Sequence, residues 1–62
     1  MKAQVQPGDK WKSIDQVFRV IDVVTIEENI WIHYMKLKDN TEYSCLQESF
    51  VHRFTKVINE SY

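Results

Sequence analysis

The chain contains one cysteine, one proline and one glycine in 62 residues. A single thiol, Cys45, excludes an intramolecular disulfide, so nothing in the sequence calls for an oxidising compartment. No apolar run approaches the roughly 20 residues of a membrane-spanning helix, and the opening MKAQVQPGDK lacks the apolar stretch of a signal peptide. The expected location is the cytoplasm, with no membrane contact. An excess of either charge is missing too, because eight Lys and Arg stand against nine Asp and Glu and their signs are interspersed. That balance gives no general attraction to nucleic acid or an acidic membrane and leaves only local patches to consider.

The length bounds the chain to a single small domain, residues 1–62, near the lower limit for folding without a metal or disulfide. Scaling laws give about 3,800 Å² of apolar surface buried on folding, worth roughly 95 kcal/mol against an ordering cost of about 93 kcal/mol. Nearly every large apolar residue must therefore join the core, or a partner or second copy must cover what remains.

What the chain does have is a stretch from Val17 to Leu46 with three runs rich in β-branched and aromatic residues. Val17 to Thr25, Asn29 to Leu37 and Thr41 to Leu46 have the length and composition of strands. Ile26-Glu27-Glu28-Asn29 makes a tight acidic turn between the first two, and Lys38-Asp39-Asn40 joins the next pair, with Asn40 in the left-handed region. A three-residue loop would set Lys36 against Glu42, Met35 against Tyr43, Tyr34 against Ser44 and His33 against Cys45, all acceptable cross-strand pairs. A two-residue loop would instead set Lys36 against Tyr43 and Tyr34 against Cys45; the first register is preferred.

Neither face of the middle strand is polar, which predicts cover on both sides. The alternation of Phe18 and Val20 breaks around Ile21 and Asp22, which predicts a bulge there. Before the meander, Pro7-Gly8-Asp9 is the strongest turn signal and Lys10-Trp11-Lys12 a short strand, with Ser13 to Gln16 as a loop. After it, Leu46, Phe50, Val51 and Phe54 fall at helical spacing, so one short helix or 3-10 turn is predicted near residues 47–54. Thr55 to Ile58 reads as a last strand and Asn59 to Tyr62 as a tail. The fold class is mainly β: a small antiparallel barrel of about five strands, with Phe18, Val20, Ile32, Leu46, Phe50 and Phe54 as its core.

Gly8-x-x-Trp11, Phe18-x-Val20, Trp31-x-x-Tyr34, Tyr43-x-Cys45 and Phe50-x-x-Arg53-Phe54 together resemble the spacing in small uncharacterised phage and prophage proteins that look like SH3-like or Tudor-like barrels. The resemblance spans most of the chain from Gly8 onward and implies an SH3-like barrel and a phage origin, so the cytoplasm would be that of the host. It carries no activity with it. One departure is the loop from Lys12 to Gln16, where such proteins often have an Asp-Gly turn; the length of the first hairpin stays open on that account.

Chemistry is sparse. His33, Cys45 and His52 are the soft ligands besides Met, too few and too scattered for a zinc site, and no base and orienting group accompany the thiol as a nucleophile would need. Neither metal, cofactor nor catalysis is expected. Glu27 and Glu28 read as a solvated turn tip, and Asp22 as a bulge residue facing water or pairing with Arg19.

Two binding classes remain. Eight aromatics are more than a small interior comfortably fills, so Trp31 and Tyr34, with Trp11 or Tyr62, are candidate anchors for a protein partner or for self-association; the bland alternative is that all are core. Trp11 in particular fits a core position between two edge-protecting lysines. The other class is a nucleic-acid module using Lys10, Lys12 and Arg19, with Lys36 and Lys38 in support. The protein-interaction module, a phage-encoded protein that docks on a host protein, is the reading the sequence favours.

Overall fold

A computed structural model describes residues 5–57; the expectations for Ile58 and for the tail to Tyr62 lie outside them. Five strands and one helix follow in order: β1 (Lys10–Ser13), β2 (Gln16–Ile26), β3 (Asn29–Lys36), β4 (Glu42–Leu46), α1 (Gln47–Arg53) and β5 (Thr55–Lys56). They form one antiparallel sheet in the order β4-β3-β2-β1-β5. The mainly β class holds, but closure does not: β4 and β5 are the two ends of the ladder, so the sheet is open and the predicted barrel is corrected. With β5 only two residues long, there is too little strand to bridge back to β4.

The turns show what the sequence could do with one glycine. Gln6-Pro7-Gly8-Asp9 is a type II turn in which the Asp9 N–H donates to the Gln6 carbonyl at 3.1 Å and Gly8 takes φ +91°. The Asp9 carboxylate accepts from the Gln6 N–H at 3.0 Å and lies 3.7 Å from the Lys56 ammonium, tying this turn to β5. Elsewhere residues with side chains occupy positive φ. Ser13 pairs with Gln16, which leaves Ile14 and Asp15 as a two-residue loop with Ile14 at φ 58°. Positive φ at the first loop position alone is the type II′ pattern, where glycine is the usual occupant. Ile26 pairs with Asn29, and Glu27 and Glu28 both take positive φ, the type I′ pattern of the tight acidic turn expected there.

The hairpin joining β3 and β4 departs from expectation. Met35 faces Glu42, Tyr34 faces Tyr43, His33 faces Ser44 and Ile32 faces Cys45. The loop is one residue longer than expected, residues 37–40, with the Lys36 N–H donating to the Thr41 carbonyl at 2.8 Å. Asn40 closes it at φ 62°, and the Asp39 carboxylate accepts from the Thr41 N–H at 3.1 Å; the Thr41 hydroxyl first, and then this N–H, lower the Asp39 pKa. A one-residue slip moves every β4 side chain to the other face. It brings Tyr43 over Tyr34, rings stacked at 5.5 Å, and separates His33 from Cys45. In β2 the bulge falls where expected, between Val20 and Asp22; Asp22 is exposed and its carboxylate accepts from the Val23 N–H at 2.9 Å.

One face of the sheet is covered by α1 and by Val5. The core is Val5, Trp11, Phe18, Val20, Ile32, Tyr34, Phe50 and Phe54, with Val23, Ile30, Cys45 and Val51 packed against it. Leu46 is corrected from core to half-buried N-cap of α1, Trp11 holds the core position its flanking lysines suggested, and Val5 and Tyr34 are additions. Val5 is fixed from its backbone side, because its N–H donates to Gln47 Oε1 at 3.2 Å. Phe50 and Phe54 stack at 4.5 Å and roof the sheet as expected of the helical segment.

Phe50 is fully buried, so Phe50→Ala is expected to cost about 3–5 kcal/mol, enough to leave a domain of this size largely unfolded in a urea titration. Replacing Glu27 and Glu28 by Asn and Gly, which accept positive φ, is expected to raise stability by about 1–2 kcal/mol and the Tm by roughly 5–10 °C in calorimetry.

Candidate functional site

The ladder sorts the sequence candidates onto two sides. Register puts Trp31 opposite Leu46 and Val24, and Met35 opposite Glu42 and Arg19, on the face away from α1. None of Val24, Trp31, Met35 and Leu46 packs against the core cluster, yet each is only half-exposed; Val24, Trp31 and Leu46 are cross-strand neighbours in one row, while Met35 lies further along β3 between Arg19 and Glu42. Val17, Ile21 and Leu37 extend this apolar face in exposed positions, and the Leu37 N–H donates to the Val17 carbonyl at 3.1 Å. No described element lies over it. The expected cover on both sides of β3 is therefore complete only on the α1 side.

Tyr34 is corrected as a surface anchor, and Trp11 takes the core position between two lysines, the alternative to its use as an anchor. Tyr34 is 4% exposed and Trp11 7%, and both belong to the core. Trp11 meets the Phe50 ring edge-on at 5.1 Å, and its indole N–H has no hydrogen-bond partner among the described residues. Tyr34 sits among Phe18, Tyr43, Phe50 and Phe54 at centroid distances of 5.0 to 5.5 Å. Burial, with Cys45 beside the phenol, pushes its pKa up.

The basic candidates divide. Lys10 and Arg19 are direct cross-strand partners, and Lys12 lies two positions along on the same side, so these three form one exposed patch beside the apolar face. Lys36 pairs with Phe18 and belongs to the opposite side, and Lys38 sits in the 37–40 loop.

A feature that sequence reasoning missed lies at the end of the first hairpin. The turn at 13–16 forms one wall of an open groove of about 240 Å³, with Lys36 and Tyr43 on the β3–β4 side and Phe18, Tyr34 and Phe54 also lining it. The signal was the missing Asp-Gly turn: an isoleucine stands where a glycine conformation is needed, and it is 94% exposed. Among the described residues, no group of three His, Cys, Asp or Glu is placed to hold a metal ion, and no helix is long and apolar enough to cross a membrane.

No family model, curated protein or solved structure matches the chain.

The Tyr34 phenol is held in its neutral form by the fold, so its contribution to stability is present below the ordinary value of 10.0 and is lost as pH rises through the raised folded value. Tyr34→Phe is expected to flatten the alkaline limb of the stability–pH curve measured by urea denaturation.

Proposed function

We propose that the protein is a small non-enzymatic protein-interaction module whose contact surface is the sheet face around Trp31. The observation that carries this reading is an apolar row, Val24, Trp31 and Leu46, left uncovered on the sheet face away from α1 in a chain that can spare little apolar surface, with Met35 and Val17 further along the same face beyond Asp22, His33 and Ser44. A half-buried Trp flanked by apolar groups on both neighbouring strands suits an interface anchor, since Val24 and Leu46 exclude water at its sides once a partner is seated. The strand order β5-β1-β2-β3-β4 with the helix just before β5 supports an SH3-like arrangement left open at one seam. A phage-encoded protein that docks on a host protein in the host cytoplasm is the form of this reading that the aromatic spacing from Gly8 onward suggests.

A second reading has an observation of its own. Lys10, Lys12 and Arg19 form one exposed patch on the same side as Trp31, at the other end of that face, which suits phosphate contacts with a stacking ring further along a single strand. Three such contacts would give a log–log salt slope of about −2 to −3.

A pull-down from host lysate with and without nuclease, at two salt concentrations, separates the two. A protein retained through nuclease and moderate salt, and lost with Trp31→Ala at a cost of about 2 kcal/mol or more in a follow-up titration, supports the docking module. Recovery of nucleic acid alone, abolished by Lys10→Glu and Lys12→Glu, overturns it in favour of the basic patch.

A further inference from the structure

The groove at the end of the first hairpin carries an apolar knob on its own rim. Ile14 is 94% exposed, and its β-branched side chain is held at φ 58°, where a glycine would make the same turn with less strain. Neither property serves the isolated chain: an exposed isoleucine contributes no burial, and left-handed backbone disfavours it. Backbone strain kept at a surface position points to a contact made there. At about 240 Å³ the groove is below the range of about 300–1,000 Å³ usual for small-molecule sites, and its size suits an inserted side chain.

We propose that this groove is an interface between two copies of the chain, in which a two-fold axis sets Ile14 of each copy into the aromatic groove of the other. Knob and groove belong to one patch, which is the condition for a self-complementary two-fold contact. The floor of Phe18, Tyr34 and Phe54 is apolar, as an isoleucine requires. The charges agree as well. Asp15 stands on the turn wall and Lys36 on the β3 wall, so the operation that carries one turn onto the other groove brings Asp15 of each copy toward Lys36 of its mate. Within the chain Asp15 has the Gln16 amide at 3.5 Å, and Lys36 has the exposed Asp39 carboxylate in its neighbourhood; neither is in an ion pair among the described residues. The Trp31 face lies on the other side of the sheet and takes no part, so this contact stands or falls apart from the docking reading.

Sedimentation equilibrium on the full chain, over concentrations reaching the millimolar range, tests the contact. The wild type is expected to show a reversible monomer–dimer equilibrium, unchanged by Trp31→Ala. Ile14→Gly is expected to raise the dissociation constant at least about a hundredfold, because two inserted isoleucines are lost per dimer, while the fold is retained by circular dichroism. Asp15→Lys and Lys36→Asp are each expected to abolish self-association, and an equimolar mixture of the two to restore it as a heterodimer, since each like-charged pair becomes an opposite one. A wild type that stays monomeric at the highest concentration overturns the proposal and leaves the groove to a segment of another protein. A dimer indifferent to Ile14→Gly, or a mixture that fails to associate, overturns it equally.

Discussion

The fold depends on one set of interlocked rings. Phe18 from β2 meets Tyr34 at 5.5 Å, Tyr43 at 6.0 Å and Phe54 at 5.0 Å, each edge to face, while Phe50 bridges Trp11 at 5.1 Å and Tyr34 at 5.0 Å. The rings come from β1, β2, β3, β4, α1 and the residue that leads into β5, so every element is tied through at least one of them. Edge-to-face and offset contacts are worth about 0.5–1.5 kcal/mol each beyond the area they bury. In a domain whose burial and ordering costs nearly cancel, such increments decide whether the chain folds. They also explain why α1, at seven residues too short to persist alone, is held in place: it is anchored by Phe50 at its centre, with Phe54 just beyond its end and the Arg53 guanidinium 5.6 Å above the Phe54 ring.

Much of this was legible in the sequence, and the failures are instructive. Composition marked the β2–β3–β4 meander, the broken alternation marked the bulge at Ile21, and the change to helical spacing marked α1. Asn40 and the Pro7-Gly8 pair announced their turns because few residues accept positive φ. The register between β3 and β4 was not legible from pairwise preference. Lys36 with Glu42 and Met35 with Tyr43 are good pairs, but cross-strand pairs contribute only about 0.2–1 kcal/mol each. The observed register gives them up to lay Tyr43 on Tyr34 and bring Cys45 to the core side, leaving Glu42 and Ser44 in solvent. Burial outweighed pairing. Val5 reads from the sequence as an addition to a sheet edge and is instead fully buried, because its backbone is held by Gln47, far along the chain.

The candidate surfaces were half legible. Trp31 was marked by type, and its place on the uncovered face follows from the register of β2 and β3. Tyr34 and Trp11 carry the same aromatic signal and serve the interior, since alternation on a strand assigns neighbours to faces without saying which face is covered. Ile14 gave no signal by type. Its meaning depends on a backbone angle, which only the closed two-residue hairpin reveals.

β1 lies between β2, which follows it at once, and β5, which arrives at the far end of the described chain. Trp11 thus sits opposite Phe18 on one side and Lys56 on the other. A polypeptide emerging from the ribosome can form the meander early, from local hairpins, but its first strand gains a second neighbour only when Thr55 and Lys56 have cleared the exit tunnel. Phe50 and Phe54 arrive in the same late segment, so the rings of β1 to β4 have no roof until then. Completion of the fold therefore waits for this segment, and a nascent chain stalled before it would expose Phe18, Ile32 and Tyr34 to the cell's chaperones and proteases.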